Sequence, residues 1–135
     1  MIPITAAALG IDLFEDRAGG LFKWLLASFL IGKRIRSTVA IEAYHNLVDR
    51  HGLDSPAKLA ACSHGELVKL LGQAGYARYD ESTARRLHHL GSRLEREMPE
   101  HVPLSGPGDI DRMGKWLLTF DGIGPKTLEI FMREV

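Results

Sequence analysis

The sequence predicts an all-α fold, and three observations lead to that prediction. Apolar residues recur at helical spacing along most of the chain, and no segment alternates convincingly between apolar and polar residues. Residues 21–31 (LFKWLLASFLI) are apolar nearly all round, which is typical of a helix buried on most of its faces. Glycine, proline, serine and aspartate punctuate the chain where helices are expected to begin and end. Elements of this kind pack helix on helix around a core.

Length and composition favour one domain over residues 1–135. A chain of 135 residues with 45% hydrophobic content can bury one substantial core. Seventeen basic residues balance seventeen acidic ones, so only local clustering can favour a polyanionic partner. The single cysteine, Cys62, excludes an internal disulfide and a four-cysteine metal or iron–sulfur site within the chain. Its longest apolar run, residues 25–32, is too short to cross a membrane and there is no basic signal sequence, so we expect a cytoplasmic protein.

The first half of the chain contains the expected central helix and its neighbour. The apolar segment 21–31 should form the centre of the core and end near Gly32. A second helix is expected over residues 37–51 and should end at Gly52. Its inward side chains should be Val39, Tyr44, Leu47 and Val48.

Two short helices should follow. Ser55 and Pro56 form a cap followed by a proline, the usual start of a helix. Ser63 can cap the next helix, which we expect to run through Leu71 and to end at Gly72.

The second half contains a longer amphipathic helix, a loop and a final pair of helices. The long helix should begin at Asp80 and end at Pro99. Residues 99–108 carry three prolines and two glycines and are the obvious loop. Asp109 should start the next helix, with Ile110, Met113, Trp116 or Leu117, and Phe120 facing inward. The predicted core contains Leu25, Leu26, Phe29, Leu47, Leu87, Leu94, Leu117 and Ile130, and Trp24 and Trp116 are expected to be core residues too.

The segment Gly122-Ile123-Gly124 joins the last two predicted helices. Glycines can adopt positive φ, and Ile123 can fill the space between the helices. Pro125 suits the first turn of the last helix, whose free amides and positive macrodipole end would favour an anion such as a nucleic-acid phosphate. The alternative is that the segment is only a connector between two helices.

Lys126 lies in the first turn of the last predicted helix. The macrodipole disfavours a cation there, and partial desolvation would further favour the neutral amine. A neutral lysine amine can form a Schiff base with a carbonyl compound. Spacing alone leaves three roles open for Lys126. In decreasing order of preference, these are a solvated side chain, a phosphate clamp and a nucleophile.

Three segments carry a resemblance to a known family: LFKWLLASFLIGKRIRSTVAIEAYHNLVD, LVKLLGQAGYARYDESTARRLHHLGSRL and LLTFDGIGPKTLEIFMREV. Their order over residues 20–135 resembles the helix-hairpin-helix DNA glycosylase superfamily, which includes endonuclease III. The resemblance implies a helical bundle ending in a helix-hairpin-helix motif, double-stranded DNA with a damaged or abasic site as partner, and a role in base excision repair. In bifunctional members, a lysine at the place of Lys126 forms a Schiff base with the abasic sugar and promotes β-elimination. Members that only remove the base usually have another residue there.

The sequence also departs from that family. The family's catalytic aspartate follows the second hairpin helix in a segment that this chain does not contain, and the four cluster cysteines lie further on still. We therefore expect an endonuclease III-like short form without an iron–sulfur cluster, acting as a DNA glycosylase or abasic-site lyase. The alternative is a non-catalytic helix-hairpin-helix module that binds DNA with a partner, and a protein-interaction domain is the third reading. The resemblance also implies that hairpin carbonyls can bind a cation.

Two further clusters are candidate DNA contacts. Lys33, Arg34 and Arg36 follow the central helix and could meet phosphates, and the family's wedge beside the flipped nucleotide falls near Lys33 or Arg34. Tyr76, Arg78 and Tyr79 lie in a second predicted turn, where they could contact the backbone or stack on a base. Each cluster alone is more typical of solvated surface, whereas the resembled fold would join both to the hairpin on one face. The six histidines show no zinc-binding spacing, and Cys62 is expected to be a small buried residue.

Overall fold

A computed structural model describes residues 4–14, 17–33, 35–76, 79–101 and 107–135 of the chain. In these residues it contains seven α-helices and no β-strand, which confirms the all-α prediction. The helices are α1 (Arg17–Ile31), α2 (Ser37–His45), α3 (Pro56–Ala61), α4 (His64–Gln73), α5 (Asp80–His101), α6 (Pro107–Leu117) and α7 (Pro125–Met132). A 3₁₀ turn covers Ala7–Leu9, and a π-helical turn over Asn46–Arg50 extends α2.

Helix α1 lies at the centre of the fold, as its sequence predicts. Ten of its fifteen residues are buried, and it packs against α2 and α7. The indole Nε1 of Trp24 donates a hydrogen bond of 3.0 Å to the carbonyl oxygen of Phe131, near the end of α7. A β-carbon on Gly32 would lie 2.4 Å from the Thr127 hydroxyl oxygen, so glycine is required for the close approach of α7. These contacts fix α7 against the end of α1.

Several predicted helix boundaries are confirmed and others are displaced. The Ser55 and Ser63 hydroxyls accept hydrogen bonds from the amides of Lys58 and Glu66, which makes both serines N-caps. Helix α4 continues past Gly72 to Gln73, and the left-handed residue that follows it is Gly75, with φ of 93°. A glycine within a helix weakens it without forcing it to end, and this is why the Gly72 boundary was wrong.

The helix predicted over residues 37–51 changes its hydrogen-bonding pattern partway along. After His45 the chain makes the π-helical turn, in which Asn46 is buried. Its side-chain amide donates to the carbonyl of Leu70 at 2.8 Å and to Gln73 Oε1 at 3.2 Å. The turn therefore joins the end of α2 to the last turn of α4, a long-range contact that local periodicity does not reveal.

The long helix α5 and the start of α6 also differ from expectation. Helix α5 continues through Pro99 to His101, so the loss of one amide donor and the crowding of the carbonyl four residues earlier do not end the helix at the proline. Helix α6 begins at Pro107 rather than at Asp109, since proline suits a first helical turn. Residues 102–106 of the predicted loop lie outside the described residues.

Buried hydrophobic side chains form one cluster to which every described α-helix contributes. All eight predicted core residues are in it, and so are Trp24 and Trp116. The prediction for Ile110 is wrong, because its side chain is 37% exposed. Ile110 and Gly114 lie on one stripe of α6 and, with Leu118 just after the helix, border a surface groove. Met113 and Leu117 form the stripe that enters the core.

Val39 is only partly buried, and Cys62 is partly exposed rather than buried as predicted. Partial burial raises the pKa of the Cys62 thiol, with a smaller contribution from Glu66. No helix in the described part of the chain combines the length and apolar character needed to cross a membrane.

Candidate functional site

The connection between α6 and α7 is a tight turn centred on Gly122. This residue has φ of 91°, which side-chain-bearing residues rarely adopt. A β-carbon on Gly122 would also lie 2.8 Å from Cε2 of Phe29 and 3.0 Å from Cδ of Arg86. Ile123 is buried between the helices, as the sequence predicts, and its amide donates to the carbonyl of Phe120 at 3.2 Å.

Gly124 has a different conformation from the one expected. Its φ of −110° and ψ of −172° are extended, so only Gly122 of the two adopts positive φ. Gly124 is the N-cap of α7, and Pro125 occupies the first turn as predicted. No heavy atom lies within 4 Å of a β-carbon built on Gly124. The start of α7 is therefore open on the side where this side chain would project.

Lys126 follows in the first turn of α7, and its side chain is exposed. The partial desolvation expected from the sequence is therefore not observed. The two carboxylates nearest in sequence are also exposed: Asp121 precedes the turn, and Glu129 lies one helical turn further on.

Lys33 is joined directly to the turn. Its ammonium donates a hydrogen bond of 2.6 Å to the carbonyl oxygen of Gly122 and lies 4.3 Å from the centroid of the Phe29 ring. Burial lowers the pKa of Lys33 and the charge of Arg86 lowers it further, while the charge of Asp121 acts in the opposite direction. The structure therefore brings Lys33 and the Gly122 turn together, two features that are about ninety residues apart in sequence.

Arg86 also belongs to the candidate site, although the sequence did not single it out. Its Nε lies 3.5 Å from Oδ2 of Asp121, immediately before Gly122. A pocket of about 200 Å³ adjoins this pair and is lined by Lys33, Tyr79, Ser82, Thr83 and Arg86. Tyr79 lies immediately before α5, and Ser82, Thr83 and Arg86 follow it three, four and seven residues later, the spacing of one helix face.

The other residues predicted to contact DNA differ in where they lie relative to this pocket. Tyr79 is 41% exposed and lies at the pocket. Arg36 is exposed at the start of α2 and does not line the pocket. Arg34 and Arg78 lie outside the described residues.

The prediction that Tyr76 lies in a turn available to DNA is wrong. Its side chain is fully buried, and its hydroxyl donates to the carbonyl of Leu30 at 3.2 Å. Burial strongly raises the pKa of this phenol. An aromatic residue next to a helix end can serve the core as readily as the surface, and only the packing of α1 against this segment decides between them.

No group of three or more His, Cys, Asp and Glu side chains in the described ranges is arranged to hold a metal ion. Among the turn carbonyls considered for a bound cation, that of Gly122 accepts a hydrogen bond from the Lys33 ammonium.

Compared with protein-family models, with curated proteins and with solved structures, the chain has no significant match.

Proposed function

We propose that the protein binds double-stranded DNA and acts in base excision repair, as a helix-hairpin-helix protein related to endonuclease III. The observation that carries this proposal is the α6–turn–α7 arrangement. Gly122 has positive φ, the space beside Gly124 is open, and Pro125 begins α7. Such a turn can present backbone amides to a phosphate while the positive end of the helix macrodipole favours the anion.

Lys126 is the residue we assign to chemistry in this proposal. Its exposed position beside the open start of α7 would leave the amine accessible to a DNA-bound sugar. The amine nitrogen would attack C1′ of an abasic aldehyde, and loss of water would give an imine. Removal of a C2′ proton would then expel the 3′ phosphate, and hydrolysis would return the free lysine.

A second candidate function is a non-catalytic DNA-binding module that acts with a partner protein. The charge distribution around the turn favours it. Asp121 faces Arg86 at 3.5 Å and its side chain is largely exposed, and Glu129 is exposed on α7. Neither arrangement resembles a carboxylate that assists Lys126 from a desolvated position. In this alternative Lys126 would hold phosphate only.

We place the protein in the cytoplasm, since its single cysteine is consistent with a reducing compartment. We propose no iron–sulfur cofactor for it. The turn carbonyls other than that of Gly122 are the candidates for a cation bridging to phosphate.

Borohydride trapping on a duplex with one abasic site tests the assignment of Lys126. We expect weak trapping and weak strand cleavage by the wild type, with little release of an intact damaged base. Lys126→Ala and Lys126→Gln should abolish both signals. Glu129→Gln tests whether that carboxylate assists, and Lys69→Ala, an exposed lysine on α4, is the matched control that should behave as wild type.

Two outcomes would contradict the catalytic assignment. Trapping that persists in Lys126→Ala would show that another amine reacts. No trapping by a wild-type protein that still binds the duplex would leave the non-catalytic module as its function.

A further inference from the structure

The pocket beside the Gly122 turn has the composition of an anion site. Two cationic side chains, Lys33 and Arg86, line it together with the hydroxyl-bearing Ser82, Thr83 and Tyr79. The volume of about 200 Å³ lies below the range of roughly 300–1,000 Å³ that is usual for drug-sized ligands. A pocket of this size suits one small charged group rather than a whole cofactor.

The charges at this pocket are not fully compensated. Within the described residues, Asp121 is the one carboxylate whose charge acts on Lys33, and it already faces Arg86. Lys33 is half-buried, so part of the hydration of its ammonium is lost. Among the described residues, two cations beside one carboxylate leave an excess of one positive charge, which a bound anion would neutralise.

Donor capacity remains at both cations. The Lys33 ammonium has three donors and directs one of them to the carbonyl of Gly122. Arg86 faces Asp121 through Nε, so the terminal nitrogens of its planar fork can engage a ligand. Ser82 adds a hydroxyl that donates to the carbonyl of Tyr79 at 3.3 Å and keeps lone pairs and rotational freedom. Thr83 contributes mainly shape, because its side chain is buried.

We propose that this pocket binds one phosphate group, of a free nucleotide or of a nucleic-acid strand, through Lys33, Arg86 and Ser82. Guanidinium and ammonium donors suit phosphate oxygens. The base of the same nucleotide would lie outside the pocket, where the exposed ring of Tyr79 offers a stacking surface. The site is separate from the amides at the start of α7 and does not depend on the proposed repair function or on Lys126.

The test is an NMR titration of the whole isotope-labelled chain with inorganic phosphate at constant ionic strength set by chloride. We expect saturable shifts of the Arg86 Nε–H signal and of the Ser82 and Thr83 amides. Arg86→Gln should weaken phosphate binding by about tenfold or more, the loss expected for a charge-assisted contact. Arg85→Gln removes the same charge from the adjacent, exposed position and should bind within about twofold of wild type.

Further titrations determine whether the bound phosphate belongs to a free nucleotide or to a nucleic-acid strand. Thymidine 5′-monophosphate is compared with thymidine, and a short 5′-phosphorylated strand is compared with its unphosphorylated form. Binding that requires the phosphate in either pair supports the site and assigns the source. Equal weakening by Arg85→Gln and Arg86→Gln, or shifts that chloride reproduces, would overturn the proposal. If Arg86→Gln fails to fold, the proposal is still tested by the wild type, because phosphate binding at this pocket must shift the Arg86 Nε–H signal.

Discussion

The two glycines in the turn before α7 have different conformations and different surroundings. Gly122 has positive φ and lies against Phe29 and Arg86, so any side chain there would be strained and would also clash. Gly124 is extended, and open space surrounds the position of a β-carbon. Gly122 therefore serves the fold, whereas the absence of a side chain at Gly124 keeps the start of α7 accessible.

We expect Gly122→Ala to reduce the free energy of unfolding by about 1–3 kcal/mol, because alanine at φ of 91° is strained. Gly124→Thr should change it by less than about 0.5 kcal/mol, because threonine tolerates an extended backbone and is a good N-cap. Urea unfolding of both variants checks the difference. Equal destabilisation by the two substitutions would contradict these separate roles.

Among the helices, α5 and α6 are joined by a polar network around Glu97. The Glu97 carboxylate accepts hydrogen bonds of 2.8 Å from both Nε and a terminal nitrogen of Arg93, and one of 3.0 Å from Trp116 Nε1. Arg93 also lies 3.9 Å from the centroid of the Phe120 ring and donates to the carbonyl of Thr119 at 3.2 Å. The network thus fixes the end of α6, from which the Gly122 turn begins.

Stability in acid should report on this network. Hydrogen bonds from Arg93, and next from Trp116, lower the pKa of Glu97 from 4.5 to about 2. Because the pKa is lowered in the folded state, the stabilisation is present above pH 4.5 and is lost as the pH falls through about 2. We expect Glu97→Gln to cost on the order of 1 kcal/mol at pH 7, since partial exposure screens the interaction.

The measurement is urea unfolding of wild type and Glu97→Gln between pH 7 and the lowest pH at which both fold. The stability difference should be constant down to about pH 5 and then shrink. Glu95→Gln, an exposed carboxylate on the same helix, is the control. A difference that stays constant to the lowest pH would rule out the charged network as its source.

At the scale of the whole molecule, one apolar cluster holds together the seven helices that the structure describes. Leu87 is fully buried on α5, whereas Leu118, just after the end of α6, is 46% exposed. We expect Leu87→Ala to cost about 2–5 kcal/mol, through lost burial and the cavity left behind. Leu118→Ala is the matched control and should cost less than about 1 kcal/mol. Thermal and urea unfolding check both values, and similar losses for the two leucines would contradict this core.

The chain has a formal net charge of zero, so any attraction to DNA must come from a local cluster of basic residues. If the proposed interface holds phosphates, the logarithm of the association constant should fall with the logarithm of salt concentration by about 0.9 per phosphate contacted. Fluorescence anisotropy with an abasic duplex measures this slope. Gly124→Thr should weaken binding without loss of stability, because its side chain would occupy the open start of α7. Binding that does not depend on salt concentration, or no binding to any duplex, would exclude DNA as the partner.

The features predicted correctly from the sequence are those that depend on neighbouring residues. Ser55 and Ser63 are caps because of the amides three residues away, and Pro125 suits a first helical turn wherever the helix lies. The periodicity of apolar residues was enough to predict the all-α fold and the eight core side chains. Each of these features is set over a distance of one or two helical turns.

Part of the candidate site can also be predicted from local sequence patterns. The sequence alone makes the glycine turn, Lys126 and Lys33 candidates, and the helical spacing of Tyr79, Ser82 and Arg86 around the start of α5 is visible there too. Periodicity shows that these three share a helix face, but it does not show what that face meets.

Tertiary packing alone decided the rest, because those contacts join residues far apart in the chain. The Lys33 ammonium reaches Gly122, Arg86 reaches Asp121, and Tyr76 turns inward to Leu30 only because α1, α5 and the last turn meet in space. The same packing makes Gly122 indispensable and leaves Gly124 open, although the two look equivalent in sequence. A pocket between elements has no local signature, since its charge and shape arise when separate helices are brought together.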